Sequence, residues 1–152
     1  MQRYGILGGT FDPIHVGHLV IAQAALQEFR LDKICFVPSG QPPHKNGVTG
    51  GEHRYQMTML ATIDNPHFMV SRVELDRSGY SYTFDTVQYF AEQFRQQREL
   101  FFITGADVLP ELHKWHRYQE LLQSCRFVVA TRPGFSLQNT YNLTTEDIGR
   151  IN

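Results

Sequence analysis

Two histidines three residues apart, His15 and His18, follow directly on a glycine-containing turn, Gly8-Gly9-Thr10-Phe11-Asp12-Pro13. At that spacing both imidazoles fall on one side of a helix start, where their N–H groups can donate to oxyanions. Gly8 and Gly9 let backbone N–H groups approach an anion closely, and Thr10 adds a hydroxyl. The helix that follows offers unpaired N–H groups and the positive end of its dipole. Phosphate binding is the chemistry this suits. The turn is not a dinucleotide fingerprint, since G-x-G-x-x-G is absent, nor a Walker loop, since no Gly-Lys-Ser/Thr follows. A second pair, His113 and His116, has the same spacing but no cysteine or acidic partner at a convincing sequence distance, so no metal site is expected there. Gly105 and Asp107 combine a residue that permits close approach with a carboxylate that can accept from hydroxyls or cap a helix. The single tryptophan, Trp115, can stack on a planar ring or pack in the core.

Positioning these groups falls to short apolar runs that read as buried strands at residues 4–7, 33–37, 68–72, 100–103 and 126–130. Between them, Leu19, Ala22, Leu26 and Phe29 recur at helical spacing, as do Phe84, Val87, Ala91 and Phe94, with Tyr55, Met59 and Ile63 giving a weaker stripe. Alternating strands and helices, with strands apolar throughout, predict a doubly wound, Rossmann-like α/β fold: a parallel sheet with helices on both faces and its ligand crevice at the carboxyl ends of the strands. The glycines of the turn and Gly105-Ala106-Asp107 both fall at such ends. Ser81 or Thr83 is expected to cap the helix that holds Phe84, with Asp85 in its first turn as an architectural carboxylate. Residues 39–51, with four glycines, two prolines and Lys45, predict a long loop, whereas residues 135–152 are polar and carry no clear pattern.

With 152 residues, 41% hydrophobic and 19% charged, the chain can bury about 69% of its surface as one domain without disulfides or metals. Fourteen basic residues against fifteen acidic leave a net charge of −1, which provides no general field for a nucleic acid polymer or an anionic membrane; any anion must be held locally. No apolar stretch approaches the roughly 18 residues of a membrane span and no signal-peptide pattern precedes the first strand, so a cytoplasmic protein is expected. Cys35 and Cys125, far apart and in apolar runs, read as buried thiols rather than a disulfide.

Taken together, several blocks resemble the H-x-G-H nucleotidylyltransferases, and among them the bacterial nicotinate mononucleotide adenylyltransferases. They are the Gly8–Pro13 turn with His15 and His18, Pro42-Pro43-His44-Lys45, Ser81-Tyr82-Thr83-Phe84-Asp85-Thr86, Gly105-Ala106-Asp107, Trp115 and Arg132-Pro133-Gly134. The resemblance implies transfer of AMP from ATP, with Mg²⁺ on the triphosphate, to the phosphate of nicotinate mononucleotide, giving deamido-NAD and pyrophosphate. His15 and His18 would then donate to ATP phosphate oxygens, with Gly8, Gly9, Thr10 and Lys45 assisting. Gly105 and Asp107 would meet the nucleotide's ribose, and Arg132 the adenylate. Trp115 would stack on the pyridine ring, and the backbone N–H groups of Thr83 and His116 would hold its carboxylate. Partners other than these substrates are not implied, although a homo-oligomer is left open.

Family members continue past the Arg-Pro-Gly block to an Ile-Ser-x-Thr-x-x-Arg motif, whose helix start and arginine bind ATP phosphates; residues 135–152 match none of it. The chain therefore reads as a single nucleotidylyltransferase domain over residues 1–152 without that motif, in which turnover suffers more than mononucleotide binding. Pantetheine-phosphate adenylyltransferase is the nearest alternative, but a flexible aliphatic acceptor gains little from a stacking tryptophan. A non-catalytic nucleotide-binding module and a histidine-based metallohydrolase are the readings from other classes.

Overall fold

The computed structural model of the chain describes residues 2–40, 47–95, 97–131 and 148–151. Six strands form one sheet: β1 (Gln2–Gly9), β2 (Lys33–Pro38), β3 (Phe68–Val70), β4 (Arg98–Gly105), β5 (Arg126–Ala130) and β6 (Ile148–Ile151). Their spatial order is β3-β2-β1-β4-β5-β6, and every neighbouring pair is parallel. The helices are α1 (Val16–Glu28), α2 (Gly51–Thr62), α3 (Thr83–Phe94), a 3₁₀ helix over Ala106–Lys114, and α4 (Tyr118–Ser124).

Alternation along the strands divides the core. Tyr4 and Ile6 of β1, Cys35 and Val37 of β2, Phe102 of β4 and Phe127 of β5 point to one face, beneath Phe84, Val87 and Phe90 of α3 and Leu109 and Leu112 of the 3₁₀ helix. Leu7, Ile34, Phe36, Phe101, Ile103 and Val128 point to the other, beneath Ala22 and Ala25 of α1. Both faces of the sheet are thus covered, which is why the strands read as continuously apolar. The chain winds outward from β1 in one direction, then returns to β4 and winds in the other. The crevice where ligands bind such folds therefore lies at the carboxyl ends of β1 and β4.

Several boundaries differ from the sequence expectation. β3 stops at Val70, because Ser71 already leaves the ladder after donating its N–H to the Phe36 carbonyl. β6 adds a strand in the segment that showed no pattern. On α2 the stripe of Tyr55, Met59 and Ile63 is not the buried face: Ile63 is 69% exposed, whereas Arg54, Thr58 and Thr62 are buried. The threonine hydroxyls donate to the Arg54 and Thr58 carbonyls one turn back, which satisfies them without a partner from outside the helix. Both cysteines are free, and burial pushes each thiol up to about 12. Among the described residues no helix is long and apolar enough to cross a membrane.

Candidate active site

At the end of β1 the chain turns through a left-handed residue, Phe11 (φ 52°), a conformation that bulky side chains rarely adopt. Burial holds it there: the ring is 2% exposed and packs against Phe36 and the edge of His18. Gly9 makes room, since a Cβ at that position would sit 2.8 Å from the Phe11 ring. The turn delivers His15 to the N-cap of α1 and His18 to its third residue.

The two imidazoles stack, with centroids 3.9 Å apart and planes 28° from parallel. His15 Nδ1 accepts the Gly17 N–H and His18 Nδ1 accepts the His15 N–H, each at 3.1 Å, closing a reciprocal capping box. With both Nδ1 atoms occupied as acceptors, the neutral rings carry their hydrogens on Nε2, so the pair presents two N–H donors on the far side from the backbone. Burial, and then the charge of His15, lower the pKa of His18 and favour its neutral form. This corrects the expectation that the helix N–H groups are free for an anion: two of the donors at this end are taken by the imidazoles, and Nε2–H groups stand in their place. Gly17 is part of the arrangement, since a Cβ there would lie 2.9 Å from His15 Cε1.

Behind the turn lies a residue that hydropathy did not single out. Arg54, 2% exposed, donates from Nε to the Thr49 carbonyl at 2.7 Å. Its Nη1 reaches the Thr10 carbonyl at 3.0 Å and the Ser39 carbonyl at 2.7 Å, and its Nη2 reaches the Gly40 carbonyl at 3.2 Å. Asp12 adds a further tie by accepting the Thr49 N–H at 2.9 Å. The only sequence signal for Arg54 was its place in register with Thr58 and Thr62, i, i+4 and i+8.

A cleft of about 630 Å³ is lined by Ser81, Tyr82, Thr83, Glu111, Lys114, Trp115 and His116. The structure brings Thr83, Trp115 and His116 together in this cleft. Trp115 caps the 3₁₀ helix and is anchored edge-on by Phe102 (6.2 Å, 86°) and by Phe127. Tyr82 and His116 stack at 4.5 Å to form a wall, and an ion pair between Lys114 and Glu111 (3.1 Å) stands at the exposed rim. The N-cap of α3 is Tyr82, with no side-chain capping bond, so neither Ser81 nor Thr83 caps it as expected. Thr83 is instead the first helical residue, whose N–H lacks an intrahelical partner and faces the positive end of the dipole. Asp85 lies in the first turn, as expected.

Cleft and turn are joined through the core. A Cβ on Gly8 would lie 3.7 Å from the Phe102 ring that supports Trp115, and one on Gly40 would lie 3.2 Å from Ser81 Oγ. Glu74, half-buried nearby, accepts from the Thr86 hydroxyl at 2.6 Å; desolvation raises its pKa. Gly105 ends β4 and is the N-cap of the 3₁₀ helix, with the Asp107 carboxylate folded back over it. Asp107 is therefore in the first turn rather than at the cap. Among the described residues no three His, Cys, Asp or Glu side chains gather to hold a metal ion. Lys45, with the rest of its Pro-Pro-His-Lys block, and Arg132, with Pro133 and Gly134, lie outside the described residues.

A family described as cytidylyltransferase-like matches residues 6–151. The chain belongs to that family. Among relatives of this cytidylyltransferase-like chain, a probable nicotinate-nucleotide adenylyltransferase of Moorella thermoacetica is 58% identical over 137 residues, covering 89% of the chain and 63% of the relative. One from Thermoanaerobacter sp. is 57% identical over 134 residues, covering 87% and 64%. The chain thus spans slightly less than two thirds of the length of these relatives. A solved structure of Plasmodium falciparum nicotinic acid mononucleotide adenylyltransferase complexed with NaAD superposes with a TM-score of 0.84 at 20% identity, over 100% of this chain and 75% of that one. At that identity the likeness is one of fold.

Proposed function

We propose that the protein transfers the AMP moiety of ATP to nicotinate mononucleotide, releasing pyrophosphate and forming deamido-NAD. The observation that carries this reading is a paired-imidazole donor site following β1 together with a tryptophan-walled cleft lined by residues that follow β4, the two strands being paired neighbours in the sheet. Relatives above 50% identity that are named for this activity support it.

No protein nucleophile is needed. An oxygen of the mononucleotide phosphate attacks the α-phosphorus of ATP in line, the new P–O bond forms, and the bond to the β-phosphate oxygen breaks with pyrophosphate leaving. What the chain supplies is alignment and neutralisation of charge as it develops. His15 and His18 donate from Nε2 to phosphate oxygens while their Nδ1 atoms stay locked on the backbone. Gly8, Gly9 and Thr10 border the same anion, Gly105 and Asp107 receive the ribose, and Lys45 and Arg132 supply further cations. The imidazole nitrogens and backbone N–H groups of the turn are poor ligands for a hard cation, and its carboxylate, Asp12, accepts the Thr49 N–H. Mg²⁺ therefore fits as a companion of the triphosphate, where it neutralises phosphate oxygens.

Trp115 takes the pyridine ring against its open face, and the N–H groups of Thr83 and His116 meet the ring's carboxylate. Donors at both positions favour a carboxylate over a carboxamide, whose NH₂ would face another donor. Residues 1–152 then act as a single nucleotidylyltransferase domain. Phosphorylated substrates of this kind do not cross membranes unaided, which assigns the protein to the cytoplasm. Trp115, the sole tryptophan, gives the test: its fluorescence should be quenched saturably by nicotinate mononucleotide and more weakly by nicotinamide mononucleotide. No response to either, in folded protein, would remove this reading in favour of an acceptor such as phosphopantetheine.

A further inference from the structure

Arg54 is a buried cation that spends its side chain on backbone. All four of its hydrogen bonds, at 2.7 to 3.2 Å, end on main-chain carbonyls, and they span three separate segments: the turn after β1 at Thr10, the exit of β2 at Ser39 and Gly40, and the approach to α2 at Thr49. A planar guanidinium with a fixed fork of donors can hold several carbonyls in one geometry; an ammonium of the same charge cannot reach them all. Thr10 follows directly on Gly8 and Gly9, whose backbone borders the proposed phosphate site. The position of that backbone is therefore fixed from behind by Arg54, while Asp12 ties the other side of the turn to Thr49. The Trp115 wall of the cleft is supported by different elements, Phe102 and Phe127 of the sheet, and the clamp meets the cleft lining at Gly40, beside Ser81.

Resting on the adenylyl-transfer reading above, we propose that Arg54 is a positioning residue for ATP: its guanidinium clamps the β1–α1 turn to the exit of β2 and the approach to α2, and so sets the geometry in which the triphosphate is held. It touches no substrate. Its effect should fall on the ATP side of the reaction and leave the mononucleotide side alone.

The test compares the wild-type chain with Arg54→Lys and Arg54→Gln, at a temperature well below the unfolding midpoint of each. For Arg54→Lys we expect KM for ATP to rise about tenfold or more and kcat to fall, since a displacement near 1 Å can cost about 100-fold. The dissociation constant for nicotinate mononucleotide, read from Trp115 fluorescence, should stay within about twofold of wild type. Equal losses on both substrates, or no loss with lysine, would overturn the proposal. A measurement on the unmutated protein covers the case in which neither variant folds: the ¹⁵N-resolved Nε–H signal of Arg54 should shift on adding the ATP analogue α,β-methylene-ATP and not on adding the mononucleotide. A signal indifferent to the nucleotide, or moved equally by both ligands, would refute the positioning role. Wild-type protein that binds the mononucleotide and turns over, with lysine fully replacing arginine, would sink the Arg54 proposal alone; wild-type protein that binds neither ligand would overturn it together with the adenylyl-transfer reading.

Discussion

Replacing Gly17 by alanine should damage chemistry and spare stability. An added Cβ would lie 2.9 Å from His15 Cε1 and 3.0 Å from its Nδ1. Ordinary carbon contacts begin near 3.5 Å, so the ring must move by about 0.6 Å or more. That movement breaks the 3.1 Å bond from the Gly17 N–H and disturbs the stack with His18. Losing a cap costs about 1 kcal/mol, but alanine gains up to about 1 kcal/mol over glycine within a helix, so the two nearly cancel. The unfolding midpoint should therefore stay within about 2 °C of wild type. The donor, in contrast, is misplaced by a distance that matters: loss of one preorganised donor to a developing oxyanion costs about 100- to 1,000-fold in kcat, or about 2.7–4 kcal/mol. Pyrophosphate release at saturating ATP and nicotinate mononucleotide measures the first quantity, and thermal unfolding the second. Turnover within about threefold of wild type, or a loss that merely follows a large drop in midpoint, would refute the claim that Gly17 exists to seat the His15 ring.

Further outcomes follow from the same geometry. The His18 pKa is lowered in the folded state, so the unfolded chain binds more protons as pH falls below about 6.5, and stability should decline in that direction until the folded value is passed. Chemical denaturation of wild type and His18→Asn from pH 7.5 to 5 should show the decline in the former and less of it in the latter; a wild-type increment that grows on acidification would contradict this. Glu74 has the opposite sign: its raised pKa means the folded state holds its proton more tightly, so stability is lost as pH rises above about 4.3. Glu74→Gln should melt higher than wild type at neutral pH, with the gap closing toward pH 4. Gly40→Ala should cost about 1–3 kcal/mol and lower the midpoint by about 2–12 °C, because its Cβ would lie 2.3 Å from the Glu74 carbonyl oxygen. An unshifted midpoint would show that the β2 exit yields more readily than the packing implies.

How much of this was legible depended on whether a residue's type announced its environment. The turn, the imidazole pair and the doubly wound sheet could be read because apolar strands, glycines and histidines at that spacing each carry a local signal, and the structure sets the turn and the imidazole pair between β1 and α1 of such a sheet. Arg54 could not be found by hydropathy. Its burial rests on carbonyls contributed by segments 5 to 44 residues away, and on threonines that satisfy themselves within α2. The N-cap of α3 was misjudged for a related reason: serine and threonine favour caps, yet Ser81 turns into the cleft wall and leaves Tyr82 at the cap. The 3₁₀ helix, which holds Pro110 and places Trp115 at its end, has too short a period to show a 3.6-residue stripe.

The central claim is that one site joins ATP to a pyridine carboxylate nucleotide. Incubating the purified protein with ATP, Mg²⁺ and each of nicotinate mononucleotide, nicotinamide mononucleotide and phosphopantetheine, then quantifying dinucleotide product and pyrophosphate together, tests it most directly. The account predicts deamido-NAD and pyrophosphate in equal amounts, with the nicotinate acceptor used in preference to the other two. Pyrophosphate formed only with phosphopantetheine, or equal use of the amide and the acid, would contradict it.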